Sequence, residues 1–213
     1  RDGKLALIVN PHAPSGQLTS GPKLRAIAEA LQGQAVLVVD EAYVDFVDPE
    51  AKHDLLPMVR EVENLVLLRS MSKAYSLAGL RMGYGVAHET LIEPMMSKTK
   101  DSYNVDAVAH ALATAAIRDR AYATHSTMKV REQRAWLRDQ LGALGWAVGV
   151  SASNFLLATV PENFAVGAKA VYEALKSEGI FVRYFDQQRL HDKLRITVGT
   201  APQNRRLIDA LQR

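Results

Sequence analysis

Short continuous apolar runs, separated by polar stretches bearing glycine or proline, set the rhythm of the first half of the chain. Leu5-Ala6-Leu7-Ile8-Val9, Ala35 to Val39 and Leu65 to Leu68 are unbroken rather than alternating, which predicts strands covered on both faces. A helix is expected after the first run, capped by Thr19 or Ser20, with Pro22 in its first turn, reaching about Gln32 before Gly33. A shorter helix is expected around Leu55 to Val62, and Met82 to Val86 reads as a fourth strand. Strands alternating with helices predict βαβ units: an α/β fold with a mainly parallel sheet flanked by helices. From Glu89 to about Trp146 the period is helical, broken at Pro94 and at Ser102-Tyr103-Asn104. Ala121 to Leu144 is its long amphipathic piece, with Gly145 as the stop, and the Leu/Ala stripe from Val105 to Ile117 reads as core. Strands follow at Ala147 to Val150, Phe155 to Thr159, Ile180 to Arg183 and Leu194 to Val198. A helix from Val166 to Glu178, stopped by Gly179, and a last helix from Pro202 to Gln212 complete a small α+β domain. The expected boundary lies near Asp119, with 1–118 as a larger domain and 119–213 as the small C-terminal one.

Composition narrows the classes. The 213 residues allow one large domain or two small ones, and a hydrophobic fraction of 48% with 23% charged residues is that of a soluble globular protein. Net charge is +3, but the arginines are scattered, so no nucleic-acid footprint is read. Without cysteine there is no disulfide framework, no thiolate chemistry and no zinc–thiolate site, which fits a reducing compartment. The histidines show no metal spacing. No apolar run approaches the ~18 residues of a membrane span, and no signal segment opens the chain. Arg1-Asp2-Gly3-Lys4 runs straight into a strand, which suggests that something precedes it in a parent protein.

The chemistry concentrates at strand ends. In an open α/β sheet ligands bind at the carboxyl ends of the strands. Three polar clusters follow three strands: Asn10 to Gly16, Asp40 to Tyr43 and Ser70 to Lys73. Ser70, Ser72 and Arg81 can donate to a phosphate, and Gly79 and Gly83 let backbone approach closely. If the strands are neighbours, ~4.8 Å apart, Asp40 and Lys73 face one crevice. An acid beside a phosphate pocket suits a ligand that also carries a protonated ring nitrogen. Pyridoxal phosphate is such a ligand: it offers an aldehyde to a lysine, a phosphate to donors and a pyridine nitrogen to an aspartate. Ala42 can lie under the ring, and Tyr43 can donate to its phenolic oxygen.

Val39-Asp40-Glu41-Ala42-Tyr43-Val44-Asp45-Phe46 and Arg69-Ser70-Met71-Ser72-Lys73-Ala74-Tyr75-Ser76-Leu77-Ala78-Gly79-Leu80-Arg81-Met82-Gly83 resemble the fold-type I pyridoxal-phosphate aminotransferases. Within that group the chain is most similar to the histidinol-phosphate aminotransferases. The resemblance implies transamination of histidinol phosphate with 2-oxoglutarate or glutamate, in histidine biosynthesis, by a cytoplasmic homodimer acting on small molecules. It implies Lys73 as the Schiff-base lysine and proton shuttle, Asp40 on the pyridine nitrogen, Ala42 and Tyr43 at the ring, and Ser70, Ser72 and Arg81 on the phosphate. Ser153-Asn154-Phe155-Leu156-Leu157, Gly179-Ile180-Phe181-Val182-Arg183 and Leu194-Arg195-Ile196-Thr197-Val198-Gly199 resemble the family's substrate strands. Arg195, helped by Arg183 and with Asn154 nearby, would clamp the carboxylate of glutamate or the phosphate of histidinol phosphate. Tyr103-Asn104-Val105 matches a further segment, which in the family has proline where Ser102 stands.

Two departures stand out. The loop Asn10-Pro11-His12-Ala13-Pro14-Ser15-Gly16 has Ala13 where the family has an asparagine bound to the cofactor's phenolic oxygen, leaving that contact to Tyr43 or His12. The resemblance also begins partway into the family's large domain. Hydrogen bonds to charged groups are worth roughly 1.5–3 kcal/mol each, so this chain alone is expected to hold pyridoxal phosphate poorly while a longer parent is active. Competing readings are an aromatic aminotransferase, a threonine-phosphate decarboxylase, or a non-catalytic folded or dimerising module. Ser70-Met71-Ser72-Lys73 also satisfies the Ser-x-x-Lys of serine acyl-enzymes, and Ser102-Tyr103-Asn104 imitates their Ser-x-Asn, but the Lys-Thr-Gly strand is absent. No nucleotide-binding glycine motif is present. A structural salt bridge is the alternative use of Arg195, and a strand-end cap that of Asp40.

Overall fold

The computed structural model describes residues 4–162 and 167–213. The opening Arg1-Asp2-Gly3 and Val166, the predicted helix start, lie outside the described residues. The chain divides into two compact units. One contains the chain up to His12 together with Leu18–Ser126, and the other contains Ala13–Gln17 and Thr127–Arg213.

The first unit is built on a four-stranded sheet, β1 (Leu5–Val9), β2 (Val36–Asp40), β3 (Leu65–Ser70) and β4 (Gly83–Ala87), in the order β1-β2-β3-β4. The first three strands are parallel, as predicted, and β4 returns antiparallel against β3. Helix α1 (Gly21–Leu31) crosses from β1 to β2, with Pro22 in its first turn; Ser20 precedes it but makes no side-chain cap. Leu24 and Ala28 of α1 pack with Leu37, Val39, Leu65 and Leu67 in one apolar cluster.

That cluster occupies one side of the sheet only. The expectation of cover on both faces holds for the central strands, where Val38 and Val66 on the other side are buried, but fails toward the edge. Leu5 and Leu7 are 64% and 61% exposed, and Leu68 is 39% exposed. The helix expected around Leu55 to Val62 is only a 3₁₀ turn, Pro57–Arg60. The buried Leu55, Met58, Val59 and Val62 have the i, i+3, i+4, i+7 spacing of an α-helical face, the pattern behind the expected helix, but only Met58 and Val59 lie within the turn.

Helix α2 (Glu89–Pro94) passes into a π-helical turn, Met95–Thr99. Pro94 lacks an N–H and unsettles the ladder there. The Lys100 N–H donates to the Met95 carbonyl at 2.8 Å. Helix α3 (Ala107–Arg118) begins where the Asp106 carboxylate accepts from the Ala109 N–H at 2.7 Å. The expected core stripe on α3 is corrected: its buried residues are the small Ala109 and Ala113. Val108 and Leu112 are 67% and 49% exposed. Helix α4 (Arg120–Ala143) is the long amphipathic element, and the division between the units falls inside it.

The second unit has an antiparallel sheet in the order β5-β6-β8-β7, formed by β5 (Ala147–Val148), β6 (Phe155–Thr159), β7 (Arg183–Tyr184) and β8 (Lys193–Thr197). Leu156, Ala158, Leu194 and Ile196 meet the apolar stripes of α5 (Gly167–Ser177) and α6 (Ala201–Leu211). The strand expected at Ile180 to Arg183 starts only at Arg183. Gly179, at φ +73°, closes α5, and the Ile180 N–H is used on the Leu175 carbonyl at 2.8 Å, a helix-ending bond that delays the strand. Gly16 also lies in this unit, at φ +76°, and a Cβ there would fall 2.2 Å from the Ser151 hydroxyl. Among the described residues no helix is long and apolar enough to cross a membrane.

Leu67→Ala empties a fully buried site and is expected to cost ~2–5 kcal/mol of unfolding free energy. Leu7→Ala, on the open side, should cost under about 1 kcal/mol. Urea denaturation of the two variants checks this, and equal losses would mean that Leu7 is covered.

Candidate active site

Parallel pairing carries three distant segments to one sheet edge. Val9 stands opposite Asp40, and Asp40 opposite Leu68, so the carboxyl ends of β1, β2 and β3 lie side by side. The ladder runs one residue further: the Asn10 N–H donates to the Asp40 carbonyl at 2.9 Å, and the Glu41 N–H to the Leu68 carbonyl at 2.8 Å. Side chains alternate along a strand. Asp40, Leu68 and Ser70 therefore share one face, and Glu41 and Arg69 share the other.

Each predicted residue of the first unit can be placed on this edge. The Asp40 carboxylate accepts from the Ala42 N–H at 3.0 Å through Oδ1, leaving Oδ2 for a further donor. Ala42 and Tyr43 follow in the same turn and are half-buried. The Ser70 hydroxyl oxygen accepts from the Ser72 N–H at 3.1 Å, which turns the chain sharply at the end of β3. Lys73, exposed, holds its Nζ 5.6 Å from the centre of the Tyr43 ring. The amine thus stands beside the turn that Asp40 opens. Arg81 sits at φ +55°, a left-handed conformation unusual outside glycine, and its Nη1 donates to the Ala78 carbonyl at 2.7 Å. Gly83 faces Ser70 across the sheet, where a Cβ would come 2.8 Å from the Arg69 carbonyl oxygen. An amine, two hydroxyls and a guanidinium, with a carboxylate beside them, form a donor and acceptor set that fits an aldehyde, a phosphate and a basic ring nitrogen.

On the opposite face lies a charged cluster that the sequence reading did not single out. Glu41 is 1% exposed. Its Oε2 accepts from Arg69 Nε at 2.9 Å, and its Oε1 lies 3.8 Å from His53 Nε2. His53 in turn is 3.4 Å from the Asn10 side-chain nitrogen. Asn10 is fully buried, and its Oδ1 accepts from the Thr19 N–H at 2.7 Å. Burial lowers the affinity of Arg69 for its proton, but the charge and hydrogen bond of Glu41 outweigh this and hold the guanidinium above its usual range. Asp45 is pushed up by burial, with Arg69 opposing and Glu41 adding to the shift. Tyr75 is raised by burial and then by the neighbouring Asp45. Charged residues inside or beside apolar runs, Glu41 after Val36–Asp40 and Arg69 within Leu65–Ser70, were the available signal, since buried charge demands a partner.

In the second unit Arg183 and Arg195 stand directly opposite each other on β7 and β8. The Arg195 guanidinium carbon is 5.1 Å from the Phe155 ring centre and 5.9 Å from that of Phe185, and the Arg183 guanidinium is 5.5 Å from Phe185. Among the described residues the buried Arg195 Nε has no hydrogen-bond partner. Like charges facing across a sheet are unfavourable, so this pair suits an anion. Asn154 precedes β6, and its backbone carbonyl accepts from the Val198 N–H at 2.9 Å.

The sequence model of aminotransferase class I and II matches residues 2–211. Histidinol-phosphate aminotransferase 1 of Trichormus variabilis is 46% identical over 99% of this chain, which spans 57% of that protein's length. The crystal structure of histidinol-phosphate aminotransferase from Sinorhizobium meliloti, in complex with pyridoxal-5'-phosphate, superposes with a TM-score of 0.85 at 27% identity. That match covers 98% of this chain and 56% of the other. The L-threonine-O-3-phosphate decarboxylase of Porphyromonas gingivalis shares the fold, with a TM-score of 0.81 at 24% identity, over 99% of this chain and 65% of its own.

A carboxyl that ionises less readily when folded makes the folded state the greater proton binder, so stability falls as pH rises through the window above its ordinary value. For Asp45 that value is 3.8. As pH rises above that value the urea midpoint of the wild-type chain should decline relative to that of Asp45→Asn. A pH-independent difference between the two would contradict the assignment.

Proposed function

The chain belongs to the class I and II aminotransferases, and from that premise we propose that the protein carrying it transfers an amino group between histidinol phosphate and 2-oxoglutarate, with pyridoxal 5'-phosphate as cofactor. The observation that carries this reading is the Lys73 amine, 5.6 Å from the Tyr43 ring, at the sheet edge that ends in Asp40 and Ser70. The similarity to a histidinol-phosphate aminotransferase at 46% identity supports the choice of substrate.

When bound, pyridoxal 5'-phosphate supplies an aldehyde and a ring that accepts the electrons left as a substrate's α-proton departs. Lys73 Nζ would hold the aldehyde of the resting cofactor and, when free, would be the base that takes and returns that proton. The Asp40 carboxylate, fixed by the Ala42 N–H, would accept from the ring nitrogen and keep it protonated. Tyr43 would donate to the phenolic oxygen, Ala42 would line the ring, and Ser70, Ser72 and Arg81 would hold the phosphate. Arg195, with Arg183 and Asn154, binds the anionic end of the substrate: the phosphate in one half-reaction, the carboxylate of glutamate in the other. Stacking on Phe155 and Phe185 restrains the Arg195 guanidinium and reduces the freedom lost when it pairs with an anion. The first unit is the cofactor domain and the second the small domain, so the division falls after Ser126 rather than near Asp119. The protein works in the cytoplasm as a homodimer on small molecules, without nucleic acid or membrane as partner.

The test is the single-turnover half-reaction of the cofactor-loaded protein. Histidinol phosphate should react with a higher specificity constant than phenylalanine. Lys73→Ala should abolish the reaction. Arg195→Ala should reduce the specificity constant about ten- to a hundredfold, the worth of roughly 1.5–3 kcal/mol per charge-assisted bond. Faster reaction with phenylalanine, or carbon dioxide release from threonine phosphate, would overturn the substrate assignment.

A further inference from the structure

We infer that the buried Glu41–Arg69 ion pair is a positioning device for the cofactor site, fixing Asp40 relative to Ser70 from behind the sheet. The inference rests on the reading proposed above. Glu41 is the residue after Asp40, and Arg69 is the residue before Ser70. Strand alternation sends Asp40 and Ser70 to one face and their neighbours to the other. The neighbours meet at 2.9 Å, with side-chain exposures of 0% for Glu41 and 17% for Arg69. The Glu41 N–H donates to the Leu68 carbonyl at 2.8 Å, one residue beyond the end of β2. The two strand ends are thus tied by one backbone bond and one charge-assisted bond at the level where the site begins.

The tie reaches the third strand. His53 lies between Glu41 Oε1 and the Asn10 side chain, at 3.8 Å and 3.4 Å, and Asn10 follows β1 and donates its N–H to the Asp40 carbonyl. The residues one step beyond Val9 and Asp40, and one step before Ser70, therefore meet in a single cluster. An apolar pair would fill the same space with equal or greater stability, because buried ion pairs seldom stabilise more than the hydrophobic groups that replace them. What the ion pair adds is a fixed donor–acceptor geometry between two strands. Misplacing Ser70 against Asp40 and Lys73 would spoil simultaneous contact with the phosphate and the ring.

The test compares pyridoxal 5'-phosphate with pyridoxal, which lacks the phosphate. The chain is incubated briefly with either aldehyde and reduced with borohydride, and labelling of Lys73 is measured by peptide mapping relative to the exposed Lys129. In the wild-type chain Lys73 should prefer the phosphorylated aldehyde by about tenfold or more, the worth of one charge-assisted bond. Glu41→Leu should bring that preference close to parity. Glu41→Leu combined with Arg69→Met removes both charges of the pair together and serves where the single variant does not fold, its fold checked by circular dichroism; it too should lose the preference. Glu41→Gln, whose amide oxygen still accepts from Arg69 Nε, should keep most of it. An unchanged preference in the double variant overturns the inference, whatever its melting temperature. A wild-type chain without any preference at Lys73 would overturn the cofactor reading, and this inference with it.

Discussion

Parallel pairing of β1, β2 and β3 is the constraint on which the first unit depends. Antiparallel neighbours would send consecutive strand ends to opposite edges of the sheet. Parallel neighbours send them all to one, so Asn10, Asp40 and Ser70, spread over sixty residues of sequence, become adjacent. The helix between β1 and β2 makes this possible, since a parallel crossover needs a connection long enough to return along the sheet. Helix α1 is then held down by Leu24 and Ala28 against Leu37 and Leu67. The apolar core on one side of the sheet and the polar edge at its end are consequences of the same pairing.

Much of this could be read from the residues. Unbroken apolar runs predicted the strands, and polar clusters after them marked the edge. Phe155 to Thr159 was predicted residue for residue, because an apolar strand flanked by polar turns has few alternatives. The failures have physical causes. Leu5, Leu7 and Leu68 look like residues buried on two sides, and composition alone does not say what covers them. Ile180 and Val182 look like strand residues, yet the termination of α5 takes the Ile180 N–H first. In α3 the small alanines are buried and the larger side chains are not, the reverse of what hydrophobicity alone suggests.

The site was legible to a similar degree. Lys73, Asp40 and the two serines announce themselves by type and position. The cluster behind them does not: Glu41 and Arg69 read as ordinary charges flanking a motif, and His53 lies in a stretch without periodic signal. Only the register brings them together, and with Asn10 they join three strand ends. In the second unit the sequence pointed to two arginines. It did not show that they face each other across β7 and β8, or that aromatic rings flank them.

The central claim is that the acid at the end of β2 and the amine beyond β3 serve one ring. Nitrogen-15 NMR of the protein saturated with ring-labelled pyridoxal 5'-phosphate tests it most directly. The account predicts a protonated ring nitrogen at neutral pH that reverts to the neutral form in Asp40→Asn. A neutral ring nitrogen in the wild-type protein, or one indifferent to Asp40, would contradict it.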